Sequence, residues 1–104
     1  MEIWFGDDET AELCSRTARL TARWGPAGGM AVGRRLLQIE AAPTVEALCV
    51  LPGKCRPDEA DGTWLIDVEE VAVIRFQLGS GTAGTARKAH VISVSNHPTG
   101  RKRR

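Results

Sequence analysis

The sequence has no tyrosine, and its aromatic side chains are three tryptophans and two phenylalanines. No tyrosine hydroxyl can serve as an acid, a base or a phosphate ligand. Stacking of single-stranded RNA needs exposed aromatic faces in a basic groove, and Trp4, Trp24 and Trp64 are read instead as core. Histidine is as scarce, with His90 and His97 the whole supply. The cysteine count is odd: Cys14, Cys49 and Cys55 form no Cys-x-x-Cys pair and lie near no histidine. A tetrahedral zinc site draws on closely spaced ligand pairs, so three reduced structural thiols are expected, with no metal and no cofactor. No apolar run approaches the roughly 20 residues that span a bilayer. The opening Met1-Glu-Ile-Trp-Phe-Gly-Asp-Asp8 has neither the basic start nor the apolar stretch of a secretory signal. No membrane role and a cytoplasmic location are expected.

What remains is an ordinary globular composition in 104 residues, enough for one domain with a single modest core. The net charge of +1 conceals a segregation. Asp7, Asp8, Glu9 and Glu12 cluster near the start, and Asp58, Glu59, Asp61, Asp67, Glu69 and Glu70 form a second acidic group. Basic residues gather at Arg16, Arg19, Arg23, Arg34 and Arg35 and at the closing Arg101-Lys-Arg-Arg104. The expected division is a domain over 1–97 and a basic tail over 98–104. Such a tail attracts polyanions through counterion release, with little sequence preference.

Glu2-Ile-Trp-Phe5 alternates as a short strand. Asp7 or Asp8 suits the cap of a following helix, on which Leu13, Thr17, Leu20 and Trp24 recur at helical spacing until Gly25-Pro26 ends it. Val32, Leu36 and Ile39 mark a second helix over 31–41, frayed at its glycine end because Gly28, Gly29 and Gly33 each cost about 1 kcal/mol relative to alanine. Pro43 stops that helix, and Thr44 caps one further turn. The period then changes to two. Trp64, Ile66 and Val68 share one face, Glu69-Glu70 turns the chain, and Val71 to Phe76 returns as the second strand of a hairpin. Gly79 to Thr85 is read as a flexible linker, and a last strand covers 89–95. The order is β-α-α-β-β-β, an α+β fold with helices on one face of an antiparallel sheet.

Several of these pieces, in this order, resemble the HigB-like branch of the RelE/ParE toxin superfamily. The pieces are Ile3-Trp-Phe5, Asp7-Asp8, Leu13-Cys14, Ala41-Ala-Pro-Thr44, Leu51-Pro-Gly-Lys-Cys55, Trp64 with Asp67, Phe76, and a closing His97. The resemblance covers nearly the whole chain, with residues 41–55 its most specific part. It implies a RelE-like fold and the toxin of a type II toxin–antitoxin pair, which enters the ribosomal A site and cuts mRNA there. A ribose 2′-hydroxyl attacks the adjacent phosphate, so side chains must supply a base, an acid and cationic stabilisation of a phosphorane-like state. The implied partners are a cognate helix-turn-helix antitoxin, the ribosome and mRNA, with a toxin–antitoxin heterotetramer on promoter DNA.

The family's chemistry carries over only in part. Where members have a His after the Cys, this chain has Arg56; where they have an Arg on the hairpin it has Val73, with Arg75 two residues on and on the same strand face. The penultimate Tyr is Asn96, and Pro57-Asp-Glu-Ala-Asp61 replaces a lysine-bearing loop with one that repels phosphate. The candidate catalytic set is therefore His97 for proton transfer with Arg75 and Arg56 as cationic stabilisers, and the candidate RNA contacts are Lys54, Arg101, Lys102, Arg103 and Arg104. Arginine stays protonated and makes a poor general acid or base. Arg75 has a structural alternative in an ion pair across the hairpin, for example with Asp67. His90, seven residues before His97, would face the other side of a regular strand. Three functions follow: a ribosome-dependent mRNA endoribonuclease, a catalytically degenerate module that binds antitoxin or RNA without cleavage, and a ParE-like gyrase poison.

Overall fold

The computed structural model describes residues 1–48, 55–58, 62–79 and 88–96. The elements run β1 (Glu2–Phe5), α1 (Asp8–Ser15), α2 (Thr17–Ala41), α3 (Val45–Leu48), β2 (Cys55–Asp58), β3 (Thr63–Val68), β4 (Ala72–Leu78) and β5 (Lys88–Asn96). The strands form one sheet in the order β1-β5-β4-β3-β2. The α+β class agrees with the expectation, but the sheet is mixed, not wholly antiparallel: β1 lies parallel to β5. Parallel neighbours need a crossover instead of a hairpin, and the helices and meander between β1 and β5 supply it. The second difference is β2, which extends the sheet by a strand where a loop was expected. Pro57 cannot donate to a ladder and is tolerated at an edge, and β2 is that edge, pairing with β3 through Arg56 opposite Leu65 and Asp58 opposite Thr63.

Alternation along the strands decides which side is buried. Ile66 and Val68 of β3, Ile74 and Phe76 of β4, and Ala89, Val91 and Val94 of β5 form one layer of the core. Leu20, Val32, Leu36 and Ile39 of α2, with Val45 and Leu48 of α3, form the other. Phe76, Ile74, Val91, Val32 and Ile39 are fully enclosed.

α1 begins at a capping side chain, and the helical stretch breaks twice, at Arg16 without warning and at the expected Gly25-Pro26. Asp7 caps α1, its carboxylate accepting the Thr10 amide at 2.7 Å, and hydrogen bonding from the Thr10 backbone, then from its side chain, holds the Asp7 pKa below the ordinary value. Arg16 then leaves the helical region (φ −122°, ψ 117°), so Leu13 and Thr17 lie on different helices. Within α2, Gly25 has φ +81° and ψ 170°, a conformation open chiefly to glycine, and Pro26 starts the second half.

That second half does not fray at its glycines. Gly28 and Gly29 are buried, because the two halves of α2 fold against each other there. A Cβ on Gly29 would lie 2.8 Å from the Leu20 carbonyl carbon and the Thr21 nitrogen, and one on Gly28 would lie 2.8 Å from the Trp24 Cβ. Low helix propensity is outweighed by a backbone approach that any side chain would block. The helix ends at Ala41, before Pro43, and the Thr44 hydroxyl accepts the Ala47 amide at 3.3 Å at the start of α3.

Gly29→Ala should therefore destabilise the fold by about 1–3 kcal/mol through overpacking against backbone. Gly33→Ala, whose new methyl meets nothing closer than the Leu20 Cδ1 at 3.8 Å, should be neutral or stabilising by up to about 1 kcal/mol. Urea unfolding of the two variants beside the parent reads both changes.

Candidate functional site on the sheet face opposite the helices

Residues that alternate with the core strands lie on the other side of the sheet. One row across it is Arg56 on β2, Leu65 on β3, Arg75 on β4 and Ser93 on β5. Asp58 and Thr63 lie to one side of that row, and Asp67, Val73 and Ser95 to the other. Beyond them Gln77 pairs with His90, His90 with Trp4, and Lys88 with Glu2. Of the candidate catalytic residues, Arg56 and Arg75 are thus brought to one face and one row. His97, Lys54, Arg101, Lys102, Arg103 and Arg104 lie outside the described residues, as does most of the glycine-rich stretch after Gly79.

Both arginines are already engaged. Arg75 Nη1 donates to Asp58 Oδ2 at 3.0 Å and to the Thr63 hydroxyl at 2.7 Å. Arg56 Nη1 donates to Asp67 Oδ1 at 3.0 Å. The pairing of Arg75 with Asp67 is thus corrected: Asp67 belongs to Arg56, and Arg75 reaches past Thr63 to β2, a strand absent from the expected topology. Among the described residues two cations are matched by two carboxylates, so the charge that each guanidinium could offer a phosphate is already offset.

Asn96 accepts the Trp24 indole N–H at 2.9 Å and so ties β5 to α2. Trp24 and Trp64 pack against the core as expected, whereas Trp4 does not: it is 47% exposed. Its ring centroid lies 6.3 Å from that of His90, and the Lys88 ammonium sits 5.6 Å from the indole centroid. This aromatic–cation–imidazole group went unread because it depends on the parallel β1–β5 register, which no local pattern announces.

β5 is not a regular strand, and the facing of His90 relative to His97 lies outside the described residues. Arg75 pairs with Ser93 and Phe76 with Val91, so Ile92 is an extra residue in β5. A bulge reverses the alternation beyond it: His90 and Ser95, an odd number apart, share one face.

The cysteines divide. Cys55 is disulfide-bonded, which overturns the expectation of three reduced thiols, and its partner lies outside the described residues. Structural disulfides persist chiefly in oxidising compartments, so this bond weighs against the expected cytoplasmic location. Cys14 is a free, half-buried thiol whose pKa burial pushes up to about 11. It is protonated at neutral pH and no nucleophile there. Among the described residues no cluster of three or more His, Cys, Asp or Glu side chains could hold a metal ion, and no helix is long and apolar enough to cross a membrane.

The chain matches no protein-family model, no curated protein and no solved structure.

Two outcomes follow. Double-mutant cycles of Arg75 with Asp58 and of Arg56 with Asp67, all to alanine, should give coupling energies of only about 0.5–1 kcal/mol by urea unfolding, as partly exposed ion pairs do. Alkylation of Cys14 by iodoacetamide should rise with an inflection near pH 11, not near 9. Because folding favours its protonated form, its contribution to stability should be lost as pH rises through that window.

Proposed function

We propose that the chain is a RelE/HigB-like module of a type II toxin–antitoxin pair that acts by binding its antitoxin or RNA without cleaving it. The observation that carries this reading is the pairing of both candidate cations, Arg56 with Asp67 and Arg75 with Asp58, each at 3.0 Å. Stabilisation of a phosphorane needs donors aimed at developing charge and not satisfied beforehand. Each missing general acid or base is worth about 10²–10⁴ in rate, and neither arginine can replace one. The partners in this reading are a helix-turn-helix antitoxin, alone or in a heterotetramer on promoter DNA, and the mRNA-loaded ribosome. In this reading the site of action is the cytoplasm, where the Cys55 disulfide must be reduced or shielded.

The mRNA endoribonuclease is the second reading, favoured by one grouping: the Lys88 ammonium, the His90 imidazole and the exposed Trp4 indole share the face that bears Arg75. Induced expression of the wild-type chain, Arg75→Ala and His97→Ala in a bacterial host, with mapping of mRNA 5′ ends, separates the two. The binding reading expects no new 5′ ends and co-purification with the helix-turn-helix product of a neighbouring reading frame. New ends that vanish in either variant would establish cutting instead. Growth arrest with DNA breaks and intact mRNA would point to gyrase.

A further inference from the structure

The second half of α2 carries a face that no other described part of the chain covers. Leu37 is 65% exposed and Met30 is 62% exposed, one below the other on the same side. Arg34 stands three residues before Leu37 and Glu40 three after; Gly33 stands four before and Ala41 four after. With 3.6 residues per turn all of these fall on the Leu37 side of the helix. The side chains of Arg34 and Glu40 are exposed, and among the described residues neither makes a hydrogen bond or an ion pair. Six residues apart, they do not meet on one helix, where partners lie three or four apart.

We propose that this face binds a second copy of the chain, the two α2 helices packing antiparallel about a two-fold axis beside Leu37. In such an isologous contact residue i meets residue j while j meets i. The sequence about Leu37 has that property. Leu37 meets Leu37, and the cation at one offset stands level with the anion at the opposite offset, so Arg34 of each copy reaches Glu40 of the other. Gly33 and Ala41 also come level, and their small size lets the backbones approach. A cleft of about 320 Å³ opens beside the axis; Ile3, Phe5, Leu20 and Leu36 give it apolar surface for the second copy's leucine, and Glu40 lies at its lining too. A heterologous helix would need a complementary charge pair of its own; a second copy needs nothing that the chain lacks. Three turns of helix make a contact below the usual 1,200–2,000 Å² or so of a stable complex, so the dimer is weak and forms at high micromolar concentration.

This inference stands independently of the toxin–antitoxin reading, and sedimentation equilibrium of the full chain up to about 0.5 mM tests it. The expected result is a monomer–dimer equilibrium. Arg34→Glu and Glu40→Arg should each weaken it about tenfold or more by placing like charges together, and the double variant should restore it to within about threefold. Leu37→Asp should abolish it. Circular dichroism checks that each variant folds, which their exposed positions favour. A chain monomeric throughout, a dimer indifferent to the single reversals, or a double variant that stays weakened would overturn the proposal.

Discussion

The rest of the structure depends on the close packing at Gly28 and Gly29, against the Trp24 and Val71 side chains at the first and against the Leu20–Thr21 backbone at the second. There the helical segment doubles back after Gly25, and the two halves of α2 come closer than any Cβ would allow. That approach brings Leu20 from the first half and Val32, Leu36 and Ile39 from the second to the same side of the sheet. The bend needs glycine twice over: at Gly25 for its positive φ, and at the pair for want of volume. Straightening α2 would carry one half off the sheet and expose the layer made by Ile66, Ile74, Phe76 and Val91.

On the far side of the sheet the controlling constraint is charge balance. An arginine row facing a sheet without helices would be a ready anion surface, but β2 brings Asp58 beside Arg75, and β3 brings Asp67 beside Arg56. Each guanidinium has a carboxylate at hydrogen-bond distance, so its charge is offset and an incoming phosphate gains less from it than from an arginine with no anion beside it. Catalysis by electrostatic stabilisation requires the opposite arrangement, donors held open where charge will develop. A binding surface carries no such requirement, because rim ion pairs that open on contact steer a partner at small cost.

How much of this was legible in the sequence follows from the range of the interactions. The Asp7 cap, the Glu69-Glu70 turn, the stop before Pro43 and the alternation of Trp64, Ile66 and Val68 are local, and the structure keeps all of them. The break at Arg16 has no glycine or proline to announce it. The burial of Gly28 and Gly29 reverses a propensity argument, since only tertiary packing turns a helix-weakening residue into a necessary one. The parallel pairing of β1 with β5 joins residues more than eighty positions apart and creates the Trp4–Lys88–His90 group, which no periodicity could reveal. A single extra residue, Ile92, breaks the two-residue alternation within β5, and no local pattern announces it.

The two candidate surfaces lie on opposite layers, and that separation has a consequence for how they work together. Leu36, Ile39 and Val32 point α2 toward the sheet, so Leu37 and Met30 point away from it, while Arg56, Arg75, Trp4 and His90 sit on the sheet's other side. A two-fold contact through α2 therefore covers none of the sheet-face residues and presents two copies of that face, directed away from the axis. Two weak sites joined in this way gain through effective concentration when a ligand spans both. A long polyanion or a dimeric antitoxin can span them; a short monomeric ligand cannot. The dimer thus gives the charge-balanced face a route to affinity that does not require any single face to bind tightly.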